Sequence, residues 1–190
     1  MPLIDPDLVV CGLDEAGRGP LAGPVSAGAV ILPPDFPLDI LNDSKKLSAK
    51  RREEAARLIL ARARWGLGWA QPAEIDSINI LKASLMAMER AFLAMMACGG
   101  ALPGIAVVDG LYVPVLSCRA VPLVKADALV PAVMAASIIA KTARDREMER
   151  WSWIYPEYSY EKHKGYPTAA HREACKRLGP SPIQRRSFSY

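Results

Sequence analysis

The sequence predicts an α/β protein, a sheet layered with helices and closed by a helical C-terminal part. Short apolar runs alternate with longer amphipathic stretches, and Gly and Pro mark the junctions between them. At 190 residues and 51% hydrophobic, the chain suffices for one sizeable core, so residues 1–190 are expected to form one domain.

Leu8-Val-Val-Cys-Gly-Leu13 reads as a buried strand that ends in the turn-prone run Asp14-Glu-Ala-Gly-Arg-Gly19. Val25 to Leu32 is a second strand, closed by Pro33-Pro34 and expected beside the first as a hairpin. A loop follows through Asn42-Asp-Ser-Lys-Lys46. Ser48 suits an N-cap, and Ala and Leu at helical spacing carry a first helix over about 51–64. Trp65 to Ala70 is the third strand. From about Glu74 to Cys98 one stripe holds Ile78, Leu81, Leu85, Met88, Phe92 and Met95, which predicts a single long helix with that stripe in the core, stopped by Gly99-Gly100.

Ile105 to Val108 and Ala120 to Val124 are short extended segments leading into Asp109-Gly110 and Lys125-Ala-Asp127. A helix is expected from Ala128 to about Trp151. Pro131 is comfortable only in a first helical turn, so Asp127 must lie near that helix start. A last helix runs over about 168–178.

A net charge of +4 with a pI near 8.9 suits a polyanionic partner without the Lys/Arg density of a purely electrostatic binder. The N-terminus lacks the flank and apolar run of a signal peptide, and no stretch of about 18 apolar residues offers a membrane span, so a cytoplasmic protein with no membrane contact is expected. Cys11, Cys98, Cys118 and Cys175 form no CxxC pair, which points away from a zinc site or a disulfide framework.

The chemistry concentrates in Asp14, Glu15, Asp109 and Asp127, acids from three segments that each end an element. Alone, each reads as a turn former or cap. Brought together they would need cations, because like charges oppose one another's ionisation. An all-oxygen set selects Mg²⁺ or Mn²⁺, and two such ions would support water attack on a phosphodiester. Adjacent Asp14 and Glu15 could reach one site only if the strand breaks, and Ala16-Gly17-Arg18-Gly19 is expected to supply that break.

The run Asp14-Glu-Ala-Gly-Arg-Gly-Pro-Leu-Ala-Gly-Pro-Val25 closely resembles the signature of type 2 ribonuclease H, the ribonuclease HII family. The resemblance continues through Asn42-Asp-Ser-Lys-Lys-Leu47, Val108-Asp-Gly110, Lys125-Ala-Asp127, Ala135 to Lys141 with Arg144-Asp145, and His163-Lys-Gly-Tyr166 with His171. It implies a ribonuclease H-like fold with a mixed five-stranded sheet, and it carries the metal-binding acids onto Asp14, Glu15, Asp109 and Asp127. It also implies that Gly17, Arg18 and Gly19 read the 2′-hydroxyl at an RNA–DNA junction, that Tyr166 stacks on the following deoxyribose, and that Lys45 and Lys46 touch phosphates. Cleavage would fall on the 5′ side of a ribonucleotide, in an RNA–DNA hybrid or in a DNA duplex holding one ribonucleotide, leaving 3′-hydroxyl and 5′-phosphate ends. Two departures stand out: Ala126 where the family usually has Gly, and Gln184 where it often has His.

Other readings fit less well. A non-catalytic hybrid binder of the same fold would be expected to have lost one of the four acids. The type 3 enzymes carry an N-terminal substrate-binding domain for which the 13 residues before Asp14 leave no room, and a transposase has no use for the Gly-Arg-Gly run. A monomer is expected; a sliding-clamp contact is possible in principle, but no residue indicates it.

Overall fold

Side-chain alternation along the first strand sorts its residues between two helical layers. The computed structural model describes residues 8–41 and 48–189. Among them, β1 (Val10–Ala16), β2 (Val25–Ile31), β3 (Arg64–Ala70), β4 (Ile105–Asp109) and β5 (Ala120–Leu123) form one sheet in the order β3-β2-β1-β4-β5. The β1–β2 hairpin and the β2–β3 pair are antiparallel, whereas β4 runs parallel to both β1 and β5. The sheet is thus mixed and five-stranded, as expected.

The helices are α1 (Ala49–Arg62), α2 (Pro72–Ile78), α3 (Ile80–Ala97), α4 (Pro131–Ile154), α5 (Tyr160–His163) and α6 (Ala169–Leu178). Ser48 caps α1 by accepting from the Arg51 amide at 3.3 Å, and Thr168 caps α6 by accepting from the His171 amide at 3.2 Å. Pro131 occupies the first turn of α4, and a 3₁₀ turn at Ala126–Ala128 precedes it. None of these helices is long and apolar enough to cross a membrane.

Two expectations are corrected. β1 does not stop at Leu13 but runs on to Ala16, held to β2 through Asp14↔Gly28, Glu15↔Ala27 and Ala16↔Ser26. The single helix over 74–98 is two helices, broken at Asn79, whose φ of 69° leaves the helical region while its side chain accepts from the Lys82 amide at 3.1 Å and caps α3. The predicted stripe packs in the core, where alanines join it. Met88, Phe92 and Met95 are buried, but Leu81 and Leu85 are only partly so, and the deepest line includes Ala83, Ala87 and Ala91.

Glycine explains that line. A Cβ on Gly68 would lie 2.1 Å from the Ala87 carbonyl oxygen, and one on Gly66 would lie 2.2 Å from that of Ala91, so α3 rests on the bare backbone of β3. On the opposite face α4 does the same. A Cβ on Gly12 would meet the Ala132 backbone at 2.1 Å, and one on Gly28 would meet the Ala136 oxygen at 2.5 Å. This close seat of α4 fixes which side chains meet the end of β1.

Candidate active site

Alternation on an unbroken strand sends Asp14 and Glu15 to opposite faces. Asp14 faces α4, where the Ser137 hydroxyl hydrogen-bonds its carboxylate. The last paired rung between β1 and β4 is Leu13↔Val108, so the next residues along, Asp14 and Asp109, are neighbours at the sheet's end. Asp127 arrives on the 3₁₀ turn before α4, and the Ala126 amide donates to Asp109 Oδ1 at 2.7 Å, tying that turn to β4. Asp14, Asp109 and Asp127 each offer a carboxylate oxygen, and these oxygens lie within 4.8 Å of one another.

Electrostatics marks the trio as demanding. Burial, then the charges of Glu15 and Asp109, push the Asp14 carboxyl well above the usual carboxylate range. A buried carboxylate with this surround is costly to ionise unless a cation shares it. The donor set is all oxygen, without His or Cys, and fits a hard divalent ion such as Mg²⁺ or Mn²⁺.

Glu15 lies outside that trio. It lines a cleft on the α3 side with Leu85, Met88, Asp109 and Tyr112, and Arg18 Nη1 donates to its Oε1 at 3.2 Å. Burial raises the Glu15 carboxyl, while Arg18 pulls it back. The expected strand break is therefore not what would bring the two acids to one site.

The turn after β1 is shaped from behind. Gly17 has a φ of +100°, and a Cβ there would lie 2.1 Å from Arg144 Nε, so the position admits only Gly for two reasons. Gly19 differs: its φ is unremarkable and a Cβ would meet only Tyr166 Cε1, at 3.7 Å. The Tyr166 ring is 40% exposed and is approached by Lys141 Nζ at 5.8 Å and Arg144 Cζ at 5.9 Å. Turn and ring thus sit side by side. Lys45 and Lys46 lie outside the described residues.

Three side chains gain prominence that sequence reading missed: Ser137 beside Asp14, and the fully buried Arg144 and Arg185 beneath the turn. Ser137 and Arg144 stand in runs that carry the family resemblance, but a polar residue's burial is decided by packing and is not visible in its identity. Arg185 comes from the C-terminal segment, 162 residues from its partner Gly23.

Residues 11–190 match the protein-family model described as Ribonuclease HII. A ribonuclease HII of Treponema denticola is 54% identical over 95% of this chain and 98% of its own length, and one of Bordetella avium is 52% identical over 97% and 90%. Among solved structures, the ribonuclease HII of Archaeoglobus fulgidus, seen in complex with PCNA, is similar at a TM-score of 0.76 and 28% identity over 96% of both chains. A ribonuclease HIII, Bst-RNase HIII, in complex with Mn²⁺ shares the fold at a TM-score of 0.77 and 19% identity, matching 96% of this chain and 67% of that one.

Proposed function

The chain belongs to the ribonuclease HII family and is an endoribonuclease of the ribonuclease H type, and from that premise we propose that it cuts on the 5′ side of ribonucleotides in RNA–DNA hybrids and of single ribonucleotides in duplex DNA. The observation that carries this reading is the meeting of Asp14, Asp109 and Asp127 within 4.8 Å, one strand end away from a glycine turn with an exposed aromatic ring beside it.

Asp14, Asp109 and Asp127 would hold a divalent cation, Mg²⁺ or Mn²⁺, with Glu15 completing the acidic set from the other face of β1. Such an ion supplies an activated water and neutralises charge on the phosphate. Cleavage by water leaves a 3′-hydroxyl and a 5′-phosphate, with the 2′-hydroxyl read and not used as nucleophile.

Among the described residues, the amides of Gly17, Arg18 and Gly19 donate to no carbonyl or side chain, and Arg18 and Gly19 are exposed, so their amides are open to a substrate hydroxyl. A 2′-hydroxyl is the group that separates RNA from DNA at one position. Tyr166, alongside, would stack on the deoxyribose that follows, and Lys45 and Lys46 would contact phosphates. The protein acts as one domain over 1–190 and as a monomer, with the duplex as its partner. The PCNA complex of the Archaeoglobus fulgidus relative makes a sliding clamp a further partner to test.

The test is cleavage of a duplex carrying one ribonucleotide, with Mg²⁺, Mn²⁺ or EDTA. A single 5′-side cut that needs the metal is expected. Binding without cutting under every metal would favour the non-catalytic reading, and equal cutting of an all-DNA duplex would sink hydroxyl recognition.

A further inference from the structure

Arg144 and Arg185 are fully buried, yet neither forms an ion pair among the described residues. Burying a guanidinium without a carboxylate is unfavourable unless its N–H groups are otherwise satisfied. Here backbone carbonyls satisfy them. Arg185 donates to Gly17 O at 2.6 Å, Arg18 O at 3.0 Å and Gly23 O at 2.9 Å; Arg144 donates to Ala22 O at 3.1 Å, Pro24 O at 2.9 Å and Lys164 O at 2.9 Å.

Five of these six carbonyls belong to one stretch, 17–24. The sixth is two residues from Tyr166, whose ring Arg144 also approaches. The missing Cβ of Gly17 is where Arg144 Nε fits. The two cations also repel each other: burial, then Arg144, lowers Arg185 to about 9. Such an arrangement is a poor way to fill a core, since apolar side chains would do so at less cost. It is a good way to hold a turn's carbonyls inward and so fix the turn's backbone.

We propose that Arg144 and Arg185 are positioning residues that hold the Gly17–Gly19 turn and the Tyr166 ring in register, and so set the preference for a ribonucleotide over a deoxynucleotide. This rests on the proposed function and adds the buried device behind the reading turn. Arg185 is held in turn by the C-terminal segment: Asp76 accepts from the amides of Arg186 at 3.0 Å and Ser187 at 2.9 Å, and the Phe188 ring lies 5.1 Å from the Arg185 guanidinium.

The experiment measures binding without cleavage, in Ca²⁺, of a duplex with one ribonucleotide and of the same duplex in DNA, together with Mn²⁺ binding and thermal melts. Arg185→Lys and Arg144→Lys keep the charge but lose the fan of donors. Each should reduce the ribonucleotide preference by about tenfold or more, since sub-ångström displacement of recognition groups is this costly, while Mn²⁺ binding stays unchanged in both and DNA affinity stays unchanged in Arg185→Lys. A folded variant with full preference overturns the proposal. If both Lys variants fail to fold, Phe188→Leu decides, because it loosens Arg185 and removes no hydrogen bond: a reduced preference supports the proposal and an intact one overturns it. A wild-type protein that shows no preference and no cleavage would instead overturn the proposed function.

Discussion

Asp14 is held in its place at a cost, and that cost has a sign. Its folded carboxyl keeps a proton more readily than the unfolded one, so near neutral pH its ionisation favours the unfolded chain. Asp14→Asn should therefore raise the melting temperature of the metal-free protein by about 2–4 °C per kcal/mol relieved. The same change, like Asp109→Asn and Asp127→Asn, should lower single-turnover cleavage by about 10²-fold or more, because each removes a ligand charge from the trio. Near-normal turnover in one variant would remove that acid from the site. The glycines separate in the same way. Gly17→Ala meets a positive φ and Arg144 at once and should destabilise the fold by about 1–3 kcal/mol. Gly19→Ala has room and should leave the melt within about 0.5 kcal/mol of wild type. A loss of cleavage in Gly19→Ala would then report contact with substrate, and a lowered melt would show that the turn is strained there too.

At the scale of elements, packing added to periodicity where a helix met glycine. The stripe from Ile78 to Met95 is legible as amphipathic, but not that Ala87 and Ala91 are as deeply buried as Phe92 and Met95, because Gly66 and Gly68 let α3 settle onto the β3 backbone. Gly68→Ala should force them apart and cost about 1–3 kcal/mol in a denaturant melt; an unchanged melt would mean α3 can slide. The C-terminal elements should depend on pH. His163 and His171 stack at 4.4 Å between ring centroids, and burial lowers both, so both stay neutral in the fold. The unfolded chain takes up these protons near 6.5 and the folded chain only below that. The stability they contribute is complete above about pH 6.5 and is lost as pH falls through that value toward the depressed folded ones. Asp14 and Glu15, both raised, work in the opposite direction, so the measurement belongs in an Asp14→Asn, Glu15→Gln background. A melting temperature that does not fall between about pH 7.5 and 5.5 would contradict the buried-neutral pair.

Over the whole molecule, a net charge of +4 suits the proposed duplex binding through a handful of phosphate contacts. Affinity should weaken with added salt along a shallow log–log line, and Lys45→Ala should reduce its slope by about one unit. An unchanged slope would assign Lys45 to solvent.

The sequence by itself determined the alternation of strands and helices, the hairpin, the capped start of α1, the span of α6, the place of Asp127 just ahead of α4, and the family, through motifs whose residues are neighbours along the chain. These are local matters of periodicity, caps and ring constraints. Only the tertiary structure decided that β1 runs through Asp14 and Glu15 and so divides them between faces, that Asn79 splits a helix, and that Arg144 and Arg185 lie buried against the turn at Gly17. Strand continuation depends on a partner strand, and the burial of the two guanidinium groups depends on carbonyls of which five of six lie 120 to 168 residues away. Periodicity and capping within one segment cannot register either, because the energy that decides each comes from residues outside it.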